Sequence, residues 1–462
     1  MVDTGRTRGT VVDVGHVLDT GSWSGFQKTV LLFSALTVVF DGFDNQVLGF
    51  ALPAIIKEWG VARSDFAPIL AIGLVGMTIG TAVAGMLGDR IGRRNALIAS
   101  VFLFGVMTAA ISTVHGLTGL GILRFFAAMG LGGAIPNATT LAAEYTPLRR
   151  RPWAVTLTMV CVPLGGMVGG MVASRILPGI GWRALFAVGG LVPVILGVVL
   201  IFALPESPRY LARHPRRYPE LARILSRFGK SYSADSDFVD RTEQHMARTP
   251  ISALFGAGHL RDTVGLWGAF FSCLISVYMV FSWLPTMLSS EGLDLATAGS
   301  GLTAYNFGGV LGALGGAWLI SYMGSRPAML IMAAGGAVSA LVLRYIPIVP
   351  EGSHFVLILM LGVHGAFVNA AQTTMYALVA HVYPTDVRAT GAGAATAVGR
   401  AGSVLSSFVG AWVLNLGGGH AYFIFITVMM VLTFVALAIV HRHIPKLTGV
   451  GAVDPGQDMT AH

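Results

Sequence analysis

The chain has 462 residues, 54% hydrophobic and 11% charged, with a formal net charge of +8. A soluble domain carries about 25% charged residues, so a mean hydropathy of +0.72 excludes an ordinary soluble enzyme and points to a protein that crosses a membrane many times. The basic residues stand in short blocks between apolar runs, a pattern that fits membrane orientation and anionic lipid headgroups rather than nucleic acid.

The N-terminal stretch 1–25 is polar, without the apolar core of a signal peptide, and reads as a tail. Six apolar runs follow at 27–50, 67–88, 95–114, 117–140, 154–174 and 184–204. A polar connector spans 205–262, and six more runs lie at 264–288, 299–322, 328–347, 354–380, 391–415 and 420–440. The spacing predicts an all-α integral membrane protein of twelve transmembrane helices, because about 20 apolar residues cross a bilayer as a helix and no alternating barrel pattern is present. Two bundles, 26–204 and 263–441, flank the connector, and 442–462 forms the second tail.

The first run contains Phe40-Asp41-Gly42-Phe43-Asp44-Asn45-Gln46. Each carboxylate inside a membrane helix costs about 2.5–3.5 kcal/mol. Three positions apart, Asp41 and Asp44 share a helix face, and that face should look onto a cationic partner or a watered path. Counting 1.5 Å per residue places both in the outer half of the first span. Arg124 in the fourth span falls at the same depth, so an Asp–Arg meeting is expected.

Lys57, Arg63, Arg175, Arg183 and Arg344 are the only cations on the odd-numbered connections. Apart from Arg124 and Arg400 within spans, the other side carries the rest, including Arg6, Arg8, Lys28, Arg90, Arg93, Arg94, Arg149 to Arg151, Arg326, Arg388, Arg442 and Lys446, with the arginines of the connector. The asymmetry predicts cytoplasmic termini and a cytoplasmic connector in a cell inner membrane. The connector reads as a solvated segment on the anionic leaflet, with a short helix near 218–228. Cys161 and Cys273 lie in spans and read as small apolar packers. No nucleotide-binding loop and no metal-spaced cluster is legible, so no cofactor is expected and no enzyme chemistry is read.

The halves echo each other. Gly85-Met86-Leu87-Gly88-Asp89-Arg90-Ile91-Gly92-Arg93-Arg94 follows the second span, and Gly324-Ser325-Arg326 follows the eighth. Glu144-Tyr145-Thr146-Pro147 with Arg151 closes the fourth, and Tyr383-Pro384 with Arg388 closes the tenth. This is a parallel six-plus-six repeat, with a substrate site expected between the halves.

These motifs resemble the major facilitator superfamily, to which Leu204-Pro205-Glu206-Ser207-Pro208-Arg209 also conforms. The finer resemblance is to its aromatic acid:proton symporter family. It rests on Asp41-Gly42-Phe43-Asp44, on Arg124 with Gly130, Gly132, Gly133, Pro136 and Asn137, and on Arg388-Ala389-Thr390-Gly391 with Arg400. The resemblance implies import of benzoate-type and hydroxybenzoate-type acids with protons, by a monomeric unit. It also implies a cytoplasmic latch at Asp89, Arg90 and Arg93, with Asp89 paired to arginines and capping the adjacent helices, and with Glu144 and Arg388 beside it.

For the chemistry, Asp41, Asp44 and Arg124 are read as the proton-coupling set, with a lean to Asp44 as carrier. Arg124 and Arg400 are read as partners for a carboxylate, since a guanidinium offers a two-pronged fork. Phe40, Phe43, Tyr278, Phe281, Trp283, Tyr305, Phe307 and Tyr376 are candidate flat walls, and Asn306, Asn369 and Gln372 candidate polar contacts, because an unpaired amide in lipid is costly. His364 reads as a hydrogen-bonded packing residue. Two other readings stay open: a proton-coupled exporter of drugs or metabolites, and a non-transporting membrane sensor of aromatic acids.

Overall fold

The computed structural model describes residues 11–20, 23–228, 236–240, 251–256, 258–384 and 387–446. Arg6, Arg8, Lys230, Arg241 and Arg248 lie outside the described residues. Eleven long helices carry the architecture. The first six are α1 Gly25–Trp59, α2 Ala67–Ile91, α3 Arg93–Ile111, α4 Leu117–Tyr145, α5 Arg151–Ile176 and α6 Trp182–Ala203. After the connector come α7 Leu260–Ser290, α8 Leu295–Met323, α9 Ser325–Tyr345, α10 Phe355–Val382 and α11 Arg388–Ile439. Among the described residues ten helices are long and apolar enough to cross a membrane. α11 is one of them, 52 residues long, but it breaks at Gly417 and Gly418 into two arms, 388–416 and 419–439. α8, with 29 residues, is not among the ten.

The helices outrun the apolar runs. α1 starts at a capping box, where Ser24 and Gln27 each accept the other's backbone N–H, and ends at Trp59, where Gly60 takes a left-handed φ of 63°. Hydropathy reports the thickness of the hydrocarbon layer, whereas caps set the helix ends.

Close packing repeats between the halves. A Cβ on Gly80 would stand 1.9 Å from the Met129 carbonyl oxygen, so α2 meets α4 backbone to backbone. A Cβ on Gly308 would stand 1.8 Å from the Gly362 carbonyl oxygen, so α8 meets α10 in the same way. Small residues let helices approach where lipid offers no hydrophobic drive. The same partners, second with fourth, therefore recur in each half.

Two ends can be told apart. The basic end holds the loop at 89–94 and the connector; the far end holds the turns at 60–66 and 291–294. One core runs from Phe50, Phe66 and Trp182 at the far end of the first half into Trp283, Leu302 and Tyr305 of the second. A separate core closes the basic end of the first half, where Tyr145 and Leu204 meet Leu211, Leu221 and Phe228 of the connector. The connector helix at Tyr218–Ser226 buries Leu221 and Leu225 there. A two-residue parallel pairing, Val12–Asp13 with Phe238–Val239, ties the N-terminal segment to the same place.

Contacts across the halves lie at the far end and the middle. A Cβ on Gly49 of α1 would stand 2.1 Å from the Phe281 carbonyl oxygen of α7, and one on Gly170 of α5 would stand 1.9 Å from Thr303 Oγ1 of α8. At the basic end the bonds instead bind neighbours within one half, as in Asp262 of α7, which accepts from the backbone N–H groups of His441 and Arg442.

Candidate functional site

α1 presents its two aspartates to the interior of the first half, both fully buried. Asp44 is held on three sides. Its Oδ2 lies 3.1 Å from Arg124 Nη1, its Oδ1 accepts from Thr108 Oγ1 at 2.6 Å, and its backbone carbonyl accepts from Arg124 at 3.2 Å. Arg124 reaches α1 because Gly73 of α2 leaves room: a Cβ there would stand 3.1 Å from Arg124 Cγ. The guanidinium donates a further bond to the Asn45 carbonyl at 3.3 Å. The depth-matched Asp–Arg meeting expected from the sequence is thus present at Asp44. Asp41, one turn away, is different. Both its carboxylate oxygens are buried without a hydrogen-bond partner, although Arg400 and Arg124 act on it through space.

Across the interface, Arg400 of α11 donates to the Tyr278 hydroxyl of α7 at 2.7 Å and touches Met77 Sδ of α2 at 3.2 Å. Tyr278 begins a run of edge-to-face rings, with Phe281 at 5.8 Å and Tyr305 of α8 a further 6.0 Å on. A cavity of about 20 Å³ lies between the walls, touching Arg124, Gly73, Met77, Tyr278 and Ser282. That holds about one water, so a benzene ring enters only after the walls part.

Asn306 of α8 is bound to Gln46 of α1 in a reciprocal amide pair, at 2.7 and 3.0 Å. The pair crosses the halves above Gly166 of α5, where a Cβ would stand 2.2 Å from Gln46 Nε2. Asn369 donates to its own helix at the Gly365 carbonyl, 2.9 Å away, and packs on Gly309 of α8. Gln372 is half-buried on α10. Phe43 and Trp283 each pack on glycines of their own half. Phe43 packs on Gly189 of α6 and Gly169 of α5, and Trp283 packs on Gly410 of α11. His364 pairs with Ser339 at 2.9 Å, as a packing histidine would.

At the basic end Asp89 pairs with Arg93 at 2.5 Å, one turn along the chain. Glu144 accepts from Ser207 Oγ, the Arg90 carbonyl accepts from Tyr210, and Arg388 donates to the Tyr383 carbonyl at 3.3 Å. The helix cap expected of Asp89 is made by Glu206, whose Oε1 accepts from the backbone N–H of Arg94 at 3.0 Å and of Ser207 at 2.9 Å. Gly92 makes room for it, since a Cβ there would stand 2.1 Å from Glu206 Oε2. Burial pushes the Glu206 carboxyl above the usual carboxylate range, against the pull of those two donors.

Residues 30–445 match the family model described as sugar (and other) transporter. The chain belongs to that family, within the major facilitator superfamily. Among its members the chain is 34% identical to the 4-hydroxybenzoate transporter PcaK of Pseudomonas aeruginosa, over 88% of this chain and 90% of that protein. It is 32% identical to the gallate transporter of Pseudomonas putida, over 88% and 90%. The fold is shared with the inward-open xylose transporter XylE of E. coli, with a TM-score of 0.72, 18% identity, and coverage of 90% of this chain and 97% of that one.

Within this major facilitator chain, four participants were missed from sequence: Thr108, Gln46, Met77 and Glu206. Gln46 sits in the same polar stretch as the aspartates, and Glu206 in the motif after α6, so both carried a signal. Thr108 and Met77 stand in uniformly apolar runs and carried none.

Proposed function

We propose that the chain imports monocyclic aromatic carboxylates together with protons, by alternating exposure of a site between the halves. Ten apolar helices, the break in α11 and the length of α8 support a count of twelve spans. The basic end is assigned to the cytoplasm because cations gather there, which makes the closed far end external and this state inward-facing in an inner membrane. The observation that carries the reading is the pairing of opposed chemistries: a buried Asp–Arg set on one wall, and Arg400 with a ring-lined face on the other. The relatives named for 4-hydroxybenzoate and gallate transport support the substrate class.

The steps follow from the bonds. A substrate carboxylate displaces the Tyr278 hydroxyl from Arg400, exchanging a neutral acceptor for a charged one that binds about twice as strongly. The ring lies against Tyr278, Phe281 and Tyr305. Asp41, which has no hydrogen-bond partner, holds the proton, while Asp44 stays a carboxylate locked to Arg124 and Thr108. The lean to Asp44 as carrier, drawn from the sequence, therefore gives way to a division of labour. Proton release from Asp41 to the cytoplasm would restore its charge opposite Arg400 and loosen the bound acid. At the basic end, Asp89, Arg90, Arg93, Glu144 and Arg388 serve as the cytoplasmic gate, and the functional unit is a monomer.

The test is uptake of labelled 4-hydroxybenzoate and protocatechuate into energised cells, with and without a protonophore. Accumulation of either acid that collapses with the protonophore is expected. Active extrusion of either would reverse the direction and favour the exporter reading.

A further inference from the structure

On the outer surface of the first half, a groove of about 610 Å³ runs between the basic ends of α1 and α5. Its walls are nearly all apolar, with Leu32 63% and Trp153 56% exposed. Lys28 and Arg150 are the charged residues that line it, and no acidic side chain does. Among the described residues neither meets a carboxylate, whereas the neighbouring Arg151 is neutralised by Asp19. Arg150 stacks over the Trp23 ring at 4.6 Å, and Trp23 meets Trp153 edge to face at 5.7 Å. The Trp23 indole N–H is shut from solvent with no acceptor.

We propose that this groove binds a single anionic glycerophospholipid. Its phosphate lies between Lys28 and Arg150, and an acyl chain follows Leu32 and Leu157. Three features point to this occupant rather than a protein partner. The groove opens towards the bilayer, on helices that cross it. Its cations and its aromatic pair stand at the helix ends, the depth at which headgroups and interfacial tryptophans sit. Its charge is wholly positive, complementary to an anionic leaflet. The lipid would tie α1, which carries Asp41 and Asp44, to the start of α5, a helix whose middle α1 already meets where Gly42 packs on Val162.

The full chain, purified in detergent and incubated with mixed micelles of phosphatidylglycerol or phosphatidylcholine, is examined by native mass spectrometry. One phosphatidylglycerol should be retained above the background of other lipids, and phosphatidylcholine should not. The double variant Lys28→Gln/Arg150→Gln should lower that retention by roughly tenfold or more, while Lys28→Arg/Arg150→Lys keeps it. Arg326→Gln, at the same end but away from the groove, should change nothing. Equal retention of the two lipids, or full retention by the double glutamine variant, would overturn the assignment. If the glutamine variant is poorly folded, Trp153→Ala gives an independent reading: it should weaken retention several-fold with both cations in place, and unchanged retention would count against the groove.

Discussion

The two walls of the central interface use the same arginine chemistry to different ends. On the first half, Arg124 is neutralised: the Asp44 carboxylate answers its charge, and the Asp44 and Asn45 carbonyls take two more of its donors. On the second half, Arg400 is held by one phenol and a thioether. A guanidinium has five donors in a fixed fork. Arg124 already meets a carboxylate and is committed to the fold, whereas Arg400 meets only neutral acceptors and keeps both its charge and most of its donors for a ligand. The same contrast separates the two aspartates, one bound on three sides and the other bare. Function is read from what a charged group has left over, rather than from its presence.

The contrast breaks most visibly at Asp44. Asp44→Asn leaves Arg124 buried without its counter-ion, a change that costs about 3–5 kcal/mol in buried pairs. Proton-driven accumulation and substrate counterflow should both fall to background, with a lowered thermal midpoint. Asp41→Asn should behave otherwise, because the amide mimics the protonated acid and no bond to Asp41 is lost. Accumulation should vanish while counterflow persists in vesicles. Counterflow surviving in Asp44→Asn and failing in Asp41→Asn would exchange the two roles.

That exchange is worth testing because the sequence ranked these residues by position alone. Hydropathy and helix rise sufficed to find the spans, to place both aspartates and Arg124 at one depth, and to recognise the loop containing Asp89. They did not separate Asp41 from Asp44, since the difference lies in which carboxylate Arg124 and Thr108 face, and Thr108 is a hydroxyl in an apolar run. Nor did they find the Gln46–Asn306 pair, because a repeat gives the order of helices but not which faces meet across the halves. Phe43 and Trp283 show the same limit from the other side. In a membrane helix, lipid-facing and core-facing positions are both apolar, so composition does not say that Phe43 turns towards Gly189 or Trp283 towards Gly410. Glycine was the more informative residue, for each such contact required one.

Smaller effects sharpen the second wall. Arg400→Ala should raise the apparent KM for the aromatic acid by roughly 10–100-fold, the range for losing a charged hydrogen bond of about 1.5–3 kcal/mol. Arg400→Lys should fall between, keeping the charge and losing the fork. A KM unchanged in both would remove Arg400 from the substrate path. Gln46→Ala should act on conformation instead. It leaves the Asn306 amide short of a partner in the closed far end, a penalty of about 1–3 kcal/mol on this state. Spin labels at positions 62 and 297 should report a larger population of long distances in that variant, and an unchanged distribution would deny the amide pair a closing role.

The gentlest change bears most directly on the division between the aspartates. Thr108→Val keeps the shape of the side chain and removes one donor, 2.6 Å from Asp44 Oδ1. With Arg124 still in place, the expected cost is about 1.5 kcal/mol, the low end of the range for a hydrogen bond to a charged group. If Asp44 is an anchor, accumulation and counterflow should decline together by a few-fold, and the number of protons moved per acid should stay constant. If Asp44 carries the proton, removing a donor that favours its charged form should make the carboxyl easier to protonate. The pH at which uptake is half-maximal would then move upward, with counterflow untouched. Because Val fills the space of Thr, a shift in pH dependence without loss of exchange has no packing explanation, and it would return the proton to Asp44.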